Sequence, residues 1–153
     1  NKKLDVWGPG AHTGTFRGNQ LAMAAGTVVM NKVNTPDFLA EVVEKGEIFA
    51  KRIEELKAKV SIIGDIRGKG LMRGIEFIDP KSEADHLGTK KASGDIAAMV
   101  QKRCFENKLV MEKGGRNGAV MRCLCALNIT KEDLNKALDI IEKVVIEVDL
   151  EQK

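Results

Sequence analysis

The sequence predicts an α+β domain in which helices cover one face of a largely antiparallel sheet. Three observations lead there. Stretches 36–60, 93–106 and 130–148 place apolar residues at alternating steps of three and four, the signature of helices with one buried side. Between them, paired runs rich in isoleucine, valine and leucine are separated by glycine-bearing connections, as the strands of hairpins are. The resulting order, helix, hairpin, helix, hairpin, helix, is that of a small α+β unit.

Taken in order, Leu21 to Val33 is apolar on nearly all sides, which predicts a helix buried between two bodies of protein and joining two domains. Asn34-Thr35-Pro36 breaks it, with Thr35 placed as a cap and Pro36 at the first position of the next helix, where a missing N–H costs nothing. The stripe of that helix is Leu39, Val42, Gly46, Phe49, Ile53, Leu56 and Val60, with Glu44, Lys45, Glu54, Glu55 and Lys57 elsewhere. Ser61 to Asp65 and Leu71 to Ile78 read as strands around a Gly68-Lys69-Gly70 turn that wants positive backbone angles. This turn lacks the spacing of a phosphate-binding P-loop, and no Ser or Thr follows its lysine. Residues 80–91 are charged and aperiodic, a loop in which His86 is solvated. Ser93 or Gly94 opens a helix carrying Ile96, Met99, Val100 and Cys104 on one side, with Asn107 as a left-handed stop. Leu109 to Glu112 and Ala119 to Cys125 form the second strand pair, and Thr130 with Asp133 resembles a capping box before the last helix.

Composition narrows the function. A chain of 153 residues that is 43% hydrophobic can bury one sizeable core. Net charge is +3, with acidic and basic residues interspersed and aromatics scarce, so neither a nucleic-acid nor a membrane footprint is expected. The cysteines Cys104, Cys123 and Cys125 are odd in number and lack zinc-knuckle spacing, which fits a reducing compartment, the cytoplasm, and no metal site.

The most informative stretch runs from His12 to Gln20, His-Thr-Gly-Thr-Phe-Arg-Gly-Asn-Gln. Thr13 and Thr15 offer hydroxyl donors, Gly14 and Gly18 let backbone approach a ligand, and Asn19 caps a helix whose free N–H groups favour negative charge. Such a turn suits an anion. The alternative is a threonine-glycine turn that serves only as the start of the helix.

With Trp7-Gly8-Pro9-Gly10-Ala11 before it and Leu21-Ala22-Met23-Ala24-Ala25-Gly26 after it, this stretch resembles the cofactor-phosphate segment of class III pyridoxal-phosphate aminotransferases. Phe16-Arg17-Gly18-Asn19-Gln20 is similar to the diaminobutyrate branch, since the wider family usually has a small residue at the place of Arg17 and proline at that of Gln20. Two later matches keep the family's order: Gly64 to Glu76 resembles its glycine-rich hairpin, and Val120-Met121-Arg122-Cys123-Leu124 resembles the strand carrying its C-terminal arginine.

The resemblance implies the C-terminal small domain of a fold-type I pyridoxal-phosphate transferase. Residues 1–18 would be the tail of the large domain, 19–36 an interdomain helix and linker, and 37–153 the small α+β domain. The chain starts at Asn1 without an initiator methionine, and the resemblance implies a fragment whose missing N-terminal part includes the Schiff-base lysine; no catalytic residue is therefore assigned here, and the isolated chain is expected to be inactive. Pyridoxal 5'-phosphate would be the cofactor. Thr15, with Thr13 and Gly14, would contact its phosphate across the interface of a homodimer. The implied reaction moves the terminal amino group of L-2,4-diaminobutyrate to 2-oxoglutarate, giving glutamate and aspartate 4-semialdehyde. Alternatives are another terminal-amine donor (ornithine, acetylornithine or 4-aminobutyrate) or a non-enzymatic ligand-binding or dimerisation module.

Arg122 is the candidate substrate-binding residue. It lies mid-strand, where an unpaired buried guanidinium is costly, and its fork suits a carboxylate; alternation alone also allows a wet sheet face and a plain salt bridge. In the resembled family this arginine binds a substrate carboxylate, sometimes switching with a glutamate of the large domain. Cys123 and Cys125 fall opposite Arg122 as packing residues. His12 lacks a visible acid–base partner and is expected to hydrogen-bond within its loop, while Trp7 and Phe16 read as interface or core anchors.

Overall fold

A computed structural model describes residues 2–153, which fall into two compact units, 2–39 and 40–153. In the first unit, α1 (Gln20–Val33) begins at Asn19, whose side-chain oxygen accepts from the Ala22 N–H at 3.1 Å. Within this chain the helix has no buried residue, and Leu21, Met23, Val28, Val29 and Met30 are all exposed. A helix that is apolar all round needs cover on every side, and its own unit does not supply it. Thr35 departs from expectation. Its hydroxyl donates to the Lys32 carbonyl at 3.0 Å, so it closes the last turn of α1 instead of capping the next helix.

That next helix, α2 (Pro36–Lys57), has Pro36 at its first position as the sequence requires. Only part of its stripe is buried. Gly46, Phe49, Ile53 and Leu56 enter the core of the second unit, whereas Leu39 remains exposed and Val42 is only partly covered. Lys45, expected on the outer side, is buried at 5% exposure and extends its ammonium to Glu41 at 3.2 Å, the behaviour of a long stem lying along apolar surface.

The four strands β1 (Ile63–Lys69), β2 (Met72–Phe77), β3 (Glu112–Gly114) and β4 (Val120–Cys123) form one antiparallel sheet in the order β1-β2-β4-β3. Helices α3 (Gly94–Glu106) and α4 (Lys131–Gln152) pack on each other, and α3 lies on β2, β3 and β4. Ile75, Phe77, Met121 and Cys123 join α2, α3 and α4 in the core, while Arg67, Arg122 and Glu112 of the alternate positions are exposed. The α+β architecture is therefore as the sequence predicts.

Boundaries shifted by a few residues. The first strand starts and ends later than expected, pairing Lys69 with Met72, so the turn is Gly70-Leu71 and not Gly68-Lys69-Gly70. Gly70 has φ +50°, and Gly68, at φ +140°, sits within the strand, where a Cβ would lie 2.0 Å from the Met72 carbonyl oxygen. β3 begins at Glu112, where the predicted strand ended. At the end of α3 the left-handed residue is Lys108, φ 68°, one position beyond Asn107. Ser93 caps α3 by accepting from the Ile96 N–H at 3.2 Å, and Thr130 caps α4 by accepting from the Asp133 N–H at 3.0 Å. The Thr130 hydroxyl in turn donates to the Asp133 carboxylate at 2.8 Å, a variant of the capping box.

Two polar contacts fasten α4. Arg52 of α2 donates to Glu142 at 2.7 Å and Asp139 at 2.6 Å. Asp149, buried at 2% exposure, accepts from both the N–H and the hydroxyl of Ser61, at 2.6 and 2.7 Å. Burial pushes the Asp149 carboxyl up, but the Ser61 donors and the Lys153 ammonium outweigh it and hold the group below the usual carboxylate value. A depressed pKa contributes stability that is present above about pH 4 and is lost as pH falls through the folded-state value. Asp149→Asn is accordingly expected to flatten the acid side of the stability curve below about pH 4. Urea unfolding midpoints across pH 2–6 check this; an unchanged acid slope contradicts it.

Candidate functional site

In the first unit, residues 15–18 form the turn that feeds α1, and the Arg17 N–H donates to the Gly14 carbonyl at 3.0 Å. The Arg17 guanidinium folds back and donates to the His12 carbonyl at 3.0 Å. It is the backbone of His12, then, that bonds within the loop, while its ring lies 5.1 Å from that of Trp7. An added Cβ on Gly14 would meet the Arg17 side chain at 3.0 Å, and one on Gly18, at φ +83°, would meet nothing within 4 Å. The segment is exposed throughout, including Trp7 and Phe16, neither of which is a core anchor in this chain.

The hydroxyls of Thr13 and Thr15 make no hydrogen bond among the described residues, and the first turn of α1 holds no acidic side chain. Neutral donors, an open glycine and a helix start free of carboxylates are compatible with a phosphate group. By this measure the Thr13 and Thr15 hydroxyls suit a phosphate such as a bound cofactor carries, and the open glycine beside them is Gly18, the Arg17 side chain lying against Gly14.

The second unit carries Arg122. Register places it opposite Gly74 on β2 and Glu112 on β3. Its side chain is 45% exposed, on the sheet face turned away from the helices, so burial does not force it to find a partner. It nevertheless donates to Glu112 at 2.5 Å, and the guanidinium lies over Gly114, where a Cβ would come within 3.3 Å. A half-exposed pair of this kind contributes no more than about 1 kcal/mol, so a carboxylate ligand can displace Glu112 at small cost.

Sequence reasoning missed the neighbours on that face. Arg67 donates to Asp65 at 2.6 Å and to Glu76 at 2.5 Å. The Arg67 guanidinium holds the Asp65 carboxyl below the usual carboxylate range. Arg67 pairs with Gly74, which pairs with Arg122, so a glycine floor on β2 separates two arginines of one cross-strand row. Only strand register reveals the grouping. Cys123 is buried and Cys125 half-buried, away from Arg122 as expected, and no His/Cys/Asp/Glu group able to hold a metal is present among the described residues. None of the described helices is long and apolar enough to cross a membrane.

Comparisons with known proteins agree on one family. The model of class-III aminotransferases matches residues 1–145. The chain is 39% identical to the diaminobutyrate–2-oxoglutarate aminotransferase of Haemophilus influenzae over 95% of its own length and 32% of that protein's. It is 40% identical to the diaminobutyrate–2-oxoglutarate transaminase of Halomonas elongata over 92% of itself and 31% of that protein. Among solved structures, an ornithine aminotransferase from Toxoplasma gondii superposes with a TM-score of 0.75 at 25% identity, covering 99% of this chain and 32% of that one. The chain thus spans about a third of the length of the curated relatives it matches. With the antiparallel sheet and its covering helices in place, these similarities show that the chain belongs to the class III aminotransferases, a pyridoxal-phosphate-dependent family.

Proposed function

We propose that the full-length protein transfers the terminal amino group of L-2,4-diaminobutyrate to 2-oxoglutarate, yielding glutamate and aspartate 4-semialdehyde. The observation that carries this reading is the 39–40% identity to two diaminobutyrate transaminases across more than nine-tenths of the chain. Pyridoxal phosphate, when bound, supplies the electron sink and carries the amino group between donor and acceptor.

This chain's own residues hold and orient. Thr15, supported by Thr13 and Gly14, donates to the cofactor phosphate held by the neighbouring subunit of a homodimer, and the start of α1 adds favourable potential there of roughly 0.3–1 kcal/mol. Arg122 leaves Glu112 and grips a substrate carboxylate with its planar fork. Residues 1–18 close the large domain, 19–36 link the domains, and 37–153 form the small domain. The half-buried and buried free thiols suit a reducing compartment such as the cytoplasm.

A second donor class has its own support, since an acetylornithine aminotransferase of Bacillus cereus is 38% identical over 89% of this chain. A donor panel separates the two. With 2-oxoglutarate as acceptor and glutamate formation as readout, the full-length protein is expected to use diaminobutyrate with kcat/KM at least tenfold, about 1.4 kcal/mol, above ornithine, acetylornithine and 4-aminobutyrate. Any of those three outperforming diaminobutyrate refutes the substrate assignment.

A further inference from the structure

Cys123 ends β4 and Cys125 follows it two residues later, with the Cys123 thiol 3.8 Å from the Cys125 sulfur. Only a closure of the sulfurs by about 1.8 Å, to the bonded distance near 2.05 Å, divides the dithiol from a bridge. The two residues differ in access. Cys123 is 8% exposed, whereas Cys125 is half-buried, and both line a cavity of about 290 Å³ walled by Phe49, Leu109, Met111 and Ile141. The third cysteine, Cys104, lies fully buried on α3 and has no sulfur partner among the described residues.

We propose that Cys123 and Cys125 form a reversible redox couple that closes to an intrachain disulfide under low-molecular-weight disulfide oxidants of the glutathione type. The Cys125 thiolate attacks one sulfur of the oxidant, breaking its S–S bond and releasing one thiol. The Cys123 thiolate then attacks the Cys125 sulfur, forming the intrachain S–S bond and expelling the second thiol. The protein loses two protons and two electrons, and the oxidant is reduced to two thiols.

Burial pushes the Cys123 thiol up to about 12, so it is a slow nucleophile toward external reagents. Its position beside the first-formed mixed disulfide offsets this, because a well-placed intramolecular group acts at an effective concentration no free thiol reaches. The same burial favours the pair over glutathionylation at two separate sites. The half-buried Cys125 sulfur is the one an external thiol reaches, so the bridge can be reopened from outside. Arg122 immediately precedes Cys123, so closure acts on the strand end that carries the candidate carboxylate reader; this consequence rests on the proposed function, whereas the chemistry of the couple does not.

The test incubates the native full-length protein with oxidised glutathione, alkylates free thiols after denaturation and weighs the tryptic peptide 123–131. The expected result is a mass about 2 Da below the dithiol with no alkylation of that peptide, Cys104 still alkylated, and recovery of both thiols on adding dithiothreitol. Cys125→Ser is expected to abolish the 2 Da loss. Retention of both thiols in the peptide, or a stable glutathione adduct on Cys125 with Cys123 still free, overturns the proposal.

Discussion

Replacing Arg122 with alanine in the full-length protein is expected to lower kcat/KM for the 2-oxo acid about 100-fold, with the loss concentrated in KM. The figure follows from removing a charge-assisted bidentate contact of about 1.5–3 kcal/mol, each 1.36 kcal/mol being a factor of ten. Folding stability should barely move, because among the described residues its ion-pair partner is Glu112 and both side chains are about half exposed. Arg122→Lys is expected to recover only part of the loss, since an ammonium keeps the charge and forfeits the two-pronged geometry. Steady-state kinetics with varied 2-oxoglutarate, alongside thermal melting, make the check. An unchanged KM with a lowered melting temperature would instead assign Arg122 a structural salt bridge.

Gly46→Ala carries the second large effect, and this time the readout is stability. Gly46 lies where α2 meets the β1–β2 turn: an added Cβ would stand 2.3 Å from the Gly70 carbonyl oxygen and within 2.7 Å of two more Gly70 backbone atoms. None of these is the end of a flexible side chain, so helix and turn must separate. Overpacking of this kind costs about 1–3 kcal/mol, more than alanine's better helix propensity of about 1 kcal/mol returns. Ala50→Gly, on the same helix, serves as a propensity control. Chemical unfolding should show a lower midpoint with an unchanged slope for Gly46→Ala; a midpoint equal to or above the parent's contradicts the close packing.

How far the sequence revealed this depends on where each signal resides. Helix positions were legible because periodicity and caps are local: Asn19, Ser93 and Thr130 all accept from the helix N–H groups they precede. The β1–β2 turn moved by two residues because Gly68 is needed for close approach to Met72 inside the ladder, a demand set by the partner strand. Lys45 was misassigned because its stem is apolar while its formal charge is not. Of the candidate site, Thr13, Gly14, Thr15 and Arg122 were visible as motif residues. Asp65, Arg67 and Glu76 lie within the hairpin motif and Glu112 ends a predicted strand, but their grouping around Arg122 was not legible, since it arises only through register across four strands. The wetness of the Arg122 face was equally hidden, because alternation fixes which residues share a face and not which face meets water.

The most direct measurement of the central claim is the affinity of the full-length apoprotein for pyridoxal 5'-phosphate after Thr15→Ala. Losing one hydroxyl donor to a dianion is expected to raise Kd roughly tenfold, about 1.4 kcal/mol, with the apoprotein's melting temperature unchanged and Thr15→Ser near the parent value. An alanine variant that binds the cofactor as tightly as the parent would contradict the assignment of this turn to the phosphate.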